Sequence, residues 1–257
     1  MARLAANLSL LFTELAFLDR FAAAAEAGFK GVEFLFPYAW SAAEIKQRLD
    51  DNGLETVLFN ISPGDWDAGE RGLAAIENGE ARFASALAQA LDYAAALGVK
   101  RLHAMAGLTK HGARDETYRA NLAYAAVKAA PFGIDILIEP INTFDMPGYH
   151  LTRTADAAAV IADVGAANLR LQLDLYHRHR MEGAALAAIE EFSPLVAHYQ
   201  IAGPPDRGEP IPSEFDIPGL FAAIDATGYE GWIGCEYRPR AGTVAGLGWR
   251  DRLSARA

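Results

Sequence analysis

Four short apolar runs in the second half of the chain each finish on a side chain whose oxygen can bind a metal. They are Asp135-Ile136-Leu137-Ile138-Glu139, Leu169-Arg170-Leu171-Gln172-Leu173-Asp174, Ala197-His198-Tyr199-Gln200 and Trp232-Ile233-Gly234-Cys235-Glu236. Each has the length of a fully buried strand, and helix-forming sequence separates each run from the next. Strands joined by helical crossovers are parallel, and a closed barrel of parallel strands gathers its carboxyl ends at one mouth. Three carboxylates and one amide would then converge on a point. Like charges so arranged repel unless a cation sits between them, which makes a divalent metal site the leading expectation.

The rest of the chain keeps the same rhythm. Residues 4–10 read as a first strand and 15–27 as an alanine-rich helix stopped by Gly28. Residues 31–36 form a second strand closed by Pro37. Ser41 is placed to cap a helix running to Asp51, with Glu44 completing a capping box. Residues 54–60 are a third strand, and a long irregular segment continues to about Asn78. A helix over Glu80–Leu97 ends at Gly98, residues 101–105 are a fourth strand, and 116–130 are the next helix. Eight strands interleaved with helices predict an α/β chain, a single (β/α)₈ barrel spanning 1–257, and 257 residues is the usual size for one. The competing open doubly wound sheet usually carries a glycine-rich first turn, and no G-x-G-x-x-G follows any strand.

Bulk properties narrow the function. A net charge of −10 argues against binding nucleic acid or an anionic membrane, both of which want a basic face. One cysteine, Cys235, excludes an internal disulfide framework and fits a reducing cytoplasm. The start mimics a secretion signal, with Arg3 followed by apolar and alanine-rich sequence. Asn7, Ser9, Thr13, Glu14 and Asp19 interrupt it, so a strand and helix of a cytoplasmic protein explain it better.

Oxygen-only donors favour hard or borderline cations, Mg²⁺ or Mn²⁺ foremost and Co²⁺ as a third candidate. A cation with two free positions holds a carbonyl oxygen and the neighbouring hydroxyl, acidifying the C–H between them. A carboxylate can then carry that proton through an enediolate. Glu139 and Glu236 are placed to flank such an intermediate, and the chemistry needs no organic cofactor.

These residues resemble the hydroxypyruvate isomerases, part of the xylose-isomerase-like barrels, over nearly the whole chain. The resemblance is carried by AANLSLLFTE (5–14), GVEFLFPY (31–38), GDWDAGERG (64–72), LIEPINTFDMPGYHLT (137–152) and LQLDLYH (171–177). HYQIAGPPDRGEP (198–210), GYEGWIGCEYRP (228–239) and GLGW (246–249) complete it. It implies that Glu139, Asp174, Gln200 and Glu236 are metal ligands and that the two glutamates are the proton-transfer pair. It also places His177 and Arg207 against the substrate, where Arg207 would bind the carboxylate of a 2-oxo acid. The alternatives for these two are a salt bridge of Arg207 with Asp206 or Glu209, and a packed His177 that orients Asp174. Arg71 and Lys110 or His111 are further anion-binding candidates, each with a solvated loop charge as the simpler reading, and Trp66 reads as packing rather than as a substrate wall.

The sequence departs from the family pattern at His179, where a Gln is usual, and in the loop 211–216, where a glycine-rich segment is usual. The expected reaction interconverts hydroxypyruvate and tartronate semialdehyde. A 2-oxo-tetronate isomerase, suggested by HAMAG at 103–107, is the first alternative. A ketose 3-epimerase and a non-catalytic metal-binding protein are the others. A small anionic oxo-acid is the expected partner, with self-association into a homo-oligomer left open.

Overall fold

The computed structural model describes residues 3–211 and 215–250. Its elements follow in order: β1 (Arg3–Asn7), α1 (Arg20–Glu26), β2 (Gly31–Phe34), α2 (Ala42–Asn52), β3 (Glu55–Asn60), α3 (Glu80–Leu97), β4 (Arg101–His103) and α4 (Asp115–Ala129). Then come β5 (Asp135–Ile138), α5 (Thr154–Val164), β6 (Leu169–Asp174), α6 (Leu175–Glu182), α7 (Ala185–Phe192), β7 (Val196–Ile201), α8 (Ile217–Ala226), β8 (Trp232–Cys235) and the one-turn α9 (Thr243–Gly246). The eight strands close into a barrel in sequence order, with β8 pairing β1 in parallel. The closed-barrel expectation is met.

Local chemistry explains most of the boundaries. Ser41 Oγ accepts from the Glu44 backbone N–H while the Glu44 side chain returns to the Ser41 N–H, the capping box read from the sequence. Gly98 ends α3 in the left-handed conformation that glycine adopts without a steric penalty. The buried face of α3, from Phe83 through Leu87, Ala90, Leu91 and Ala94 to Leu97, recurs every three or four residues and packs on the barrel.

Several elements are shorter than the sequence predicts. The first strand stops at Asn7 rather than at residue 10, because the Asn7 carbonyl accepts from the N–H groups of Leu10 and Leu11 and turns the chain. The first helix begins at Arg20 rather than at 15, after a 3₁₀ turn over Phe17–Asp19. The fourth strand ends at His103. The carbonyls of Met105 and Ala106 are taken instead by the Ala74 and Ala75 N–H groups of the long segment before α3. Gly72 makes that approach feasible: its φ is +126°, and a Cβ there would collide with the Met105 carbonyl. Thus the segment 61–78, irregular as expected, is tied down over the mouth of the barrel. None of the described helices is long and apolar enough to cross a membrane.

Candidate active site and metal centre

Register brings the four strand-end groups to one rim. Asp174 lies opposite Gln200, and Ile201 lies opposite Cys235, so Glu236 sits one residue beyond the end of β8. Glu139 likewise follows the last residue of β5. All four are buried, at 4% (Glu139), 2% (Asp174), 1% (Gln200) and 6% (Glu236) exposure. Isolated charges so placed are costly, so what neutralises them decides what the site is.

Glu139, Asp174 and His177 each present a ligand-capable atom, all within 4.8 Å of one another. Glu139 Oε1 and Asp174 Oδ2 are buried without a hydrogen-bond partner. Buried carboxylate oxygens are rarely left so unless an ion or water completes them, and hard oxygens suit Mg²⁺ or Mn²⁺. The residues therefore fit a divalent cation. The other Asp174 oxygen caps α6 by accepting from the Tyr176 N–H at 2.8 Å, which orients the free oxygen.

His177 supports this gap. Asn142 Nδ2 meets its Nδ1 at 2.6 Å, and an amide nitrogen can only donate, so the ring proton is on Nε2. That Nε2 lies 3.6 Å from Asp174 Oδ2 and 3.9 Å from Glu139 Oε1. It faces the carboxylates as a donor, in keeping with the orienting alternative for His177.

Gln200 and Arg207 stand differently from the expectation. Gln200 Nε2 donates to Glu236 Oε2 and, at 2.7 Å, to Glu33 Oε1, while its own oxygen accepts from Gln172 Nε2 at 2.6 Å. It gives Glu236 a donor, with its oxygen already occupied. Arg207 makes neither of the salt bridges considered for it: Arg240 holds both Asp206 and Glu209. Arg207 Nη2 instead bonds Glu236 Oε1 and lies 3.6 Å from Asp174 Oδ2, with φ at +60° turning its side chain into the mouth. The guanidinium supplies positive charge where three carboxylates crowd.

Burial dominates the titration of these groups. It pushes Glu236 up to about 8 and Asp174 up to about 6, with Arg207 opposing both shifts. Burial, and next the fields of Glu236 and Asp174, hold Glu139 well above the usual carboxylate range. Burial works against the charge of Arg207, but Glu236 and Asp174 outweigh it and raise its pKa. Burial keeps His103 neutral, down to about 3, and lowers His177.

A cavity of about 400 Å³ opens above these groups, lined by Trp66, Arg71, His103, Glu139, His177 and Arg207 among others. The Arg71 guanidinium lies 3.7 Å from the Trp66 ring centre. Trp66, read as packing, does pack on Phe36, yet it is 37% exposed and forms a wall of the cavity. Lys110 and His111 lie on a 3₁₀ turn away from the cavity lining, so the structure does not bring them to the site. His179 is exposed on α6 against Phe215, and residues 212–214 of the unusual loop lie outside the described residues.

Sequence reasoning missed His103, Gln172, Asn142 and Glu33. His103 ends β4, so the rule that found the other strand ends could have found it. Its two ring nitrogens have no partner, and Nδ1 lies 3.6 Å from Glu139 Oε2. Glu33 and Gln172 lie inside apolar runs, where no end-of-strand signal marks them.

A pH prediction follows for the metal-free protein. Unfolded, Glu236 would titrate near the ordinary carboxylate value; folded, it holds its proton up to about 8. The stability linked to that proton is complete below the ordinary carboxylate range and is lost as pH rises through about 8. Burial holds His103 and His177 neutral in the folded protein, so neither adds to the slope there. Between pH ~7 and ~8.5 the chelator-treated protein should therefore lose up to about 1.4 kcal/mol per pH unit for each such proton, a few degrees in Tm. A melting temperature that rises or stays level over this interval would contradict the assignment.

Comparison with known proteins gives consistent results. Residues 21–253 match the model of the xylose isomerase-like TIM barrel family. A 2-oxo-tetronate isomerase from Cupriavidus necator is 54% identical over 97% of this chain and 97% of its own length. A hydroxypyruvate isomerase from Escherichia coli is 47% identical over 98% and 99%. A crystal structure from Brucella melitensis, described as an AP endonuclease of family 2, superposes with a TM-score of 0.95 at 47% identity, covering 98% of this chain and 99% of that one.

Proposed function

The chain belongs to the xylose isomerase-like TIM barrel family and is an isomerase, and we propose that it moves a proton between the second and third carbons of a short hydroxy-2-oxo acid. The observation that carries this reading is the pair of bare oxygens, Glu139 Oε1 and Asp174 Oδ2, facing His177 at the mouth of the barrel. Glu139 and Asp174 would hold a divalent cation, with Glu236 and, once its amide oxygen is released from Gln172, Gln200 completing the set. Such an ion would supply Lewis-acid polarisation of the substrate carbonyl.

The chain's own residues do the rest. One of the two glutamates removes the C3 proton, leaving an enediolate, and the hydroxyl proton passes from O3 to O2. Delivery of a proton to C2 then completes the exchange of ketone and alcohol. Arg207 is placed to bind the substrate carboxylate, and its charge also keeps Glu236 in position between turnovers. His177 donates from Nε2 toward the ligand oxygens, and Trp66 with Arg71 covers the open side of the mouth and limits water.

The four-carbon 2-oxo-tetronate is the favoured substrate, because the relative bearing that name is the more similar of the two isomerases compared. His103, with its bare nitrogens on the cavity wall, offers a contact for the extra hydroxymethyl group. Hydroxypyruvate is the second reading, supported by the family motifs around Glu139. The nuclease named for the Brucella structure fits less well, since a net charge of −10 opposes binding to a polyanion.

Proton NMR in heavy water with Mg²⁺ or Mn²⁺ tests the reading directly. Conversion of 2-oxo-tetronate with deuterium entering the product is expected, with hydroxypyruvate turned over more slowly. The reverse preference would change the substrate and keep the chemistry. No conversion and no exchange with either acid, metal restored, would remove the proposal.

A further inference from the structure

The interior of the barrel holds an ionisable pair that the proposed proton transfer does not use. Glu33 on β2 and His198 on β7 are 1% and 0% exposed, and the His198 Nε2 lies 2.6 Å from Glu33 Oε2. The other oxygen, Glu33 Oε1, accepts from Asn7 Nδ2 at 2.9 Å and from Gln200 Nε2 at 2.7 Å. A charge this deep is expensive to bury, and the neighbouring strand is shaped around it: a Cβ at Gly234 would collide with the Glu33 carboxylate. Glu33 is thus built in, and the three donors around it define what it does.

We propose that Glu33 is a positioning residue that sets which way the amide of Gln200 faces and so makes its carbonyl oxygen available as a metal ligand. A glutamine amide presents NH₂ on one side and oxygen on the other, and the two orientations have nearly the same shape. A carboxylate can only accept, so Glu33 takes the NH₂. Turning the amide over would set its oxygen against both Glu33 and Glu236, which are the two acceptors the NH₂ now serves. The oxygen is left for the other side, where Gln172 Nε2 meets it. Gln172 is a neutral donor whose own oxygen has no partner, so it constrains the Gln200 oxygen far less than a carboxylate constrains the NH₂. Asn7 and His198 hold Glu33 from its other sides; with a carboxylate as acceptor, His198 carries its proton on Nε2.

This inference rests on Gln200 serving as a ligand, and the test separates the two. Mn²⁺ binding is measured on the purified full chain without substrate, by the loss of free-ion electron paramagnetic resonance signal. The proteins are wild type, Glu33→Gln, Gln200→Ala and the double variant, each first shown to melt cooperatively. Glu33→Gln should weaken Mn²⁺ about 10- to 100-fold, as loss of an outer-sphere partner of a ligand commonly does. Once Gln200 is alanine, the same change should have no further effect. If wild type binds no Mn²⁺, the metal-site reading itself fails and this inference with it. If wild type binds and Glu33→Gln binds equally well, the inference alone is overturned. A loss of affinity that persists undiminished in the Gln200→Ala background also overturns it, because Glu33 would then act by another route. Should Glu33→Gln fail to fold, His198→Gln carries the same cycle: a weakening confined to proteins with Gln200 supports the role, and unchanged affinity rejects it.

Discussion

Glu236→Gln should lower kcat by roughly 10²- to 10⁴-fold, the range expected when a positioned proton-transfer group is lost, with no loss of fold. The substitution keeps the shape of the side chain and an oxygen for Arg207 and removes a group that burial makes costly to ionise, while its NH₂ replaces the oxygen that Gln200 Nε2 now donates to. The metal-free protein should still melt cooperatively, and its decline in Tm above pH ~7 should flatten, since Glu236 is the group that titrates near 8. Kinetics and melting on the same preparation separate chemistry from folding. Turnover within a few-fold of wild type would take Glu236 out of proton transfer and leave it a ligand alone.

Removal of divalent metal is the second large effect. Exhaustive chelation should abolish turnover, and Mg²⁺, Mn²⁺ or Co²⁺ should restore it, because Glu139 Oε1 and Asp174 Oδ2 have no hydrogen-bond partner in the protein to take an ion's place. Binding should also stabilise the fold. At a free concentration ~100 times Kd the gain is about 2.7 kcal/mol, or roughly 5–10 °C in Tm for a chain of this size. The increment should grow from pH ~7 to ~8.5, since a cation offsets the crowding of Glu139, Asp174 and Glu236 that destabilises the metal-free state there. Full activity after chelation, or a melting temperature indifferent to all three ions, would refute the metal centre.

The two effects differ in what they demand of Arg207. In the metal-free arrangement its guanidinium is the positive charge nearest Glu236 and Asp174. A bound cation takes over part of that neutralisation, which frees Arg207 to meet an anionic substrate. One residue can therefore serve both readings made of it, salt bridge and substrate contact, although the salt bridge is with Glu236 rather than with Asp206 or Glu209.

Much of the site was legible before any coordinates. The alternation of short apolar runs with helical stretches is a local property of the chain, and so are the capping box at Ser41 and the glycine stop at Gly98. Because parallel strands in a barrel all end at one mouth, the oxygen side chains that close β5, β6, β7 and β8 could be assigned to one site from their positions alone. Element ends were less legible. β4 stops at His103 because the segment 61–78, distant in sequence, captures the carbonyls that follow.

The barrel and the four groups at its rim are thus local properties of the chain, because hydrophobic period and strand polarity are written in neighbouring residues. What each of those groups touches depends instead on residues far away in the chain. Gln200 meets Glu33 across 167 positions of chain, and Arg207 meets Glu236 across 29. The salt bridge considered for Arg207 was with nearby acids rather than with Glu236, and Glu33 was passed over as part of an apolar strand. Partners of this kind are chosen when β8 closes on β1 and the barrel excludes water. From then on every buried charge must find a counter-charge or donor in whatever register the closure has placed beside it.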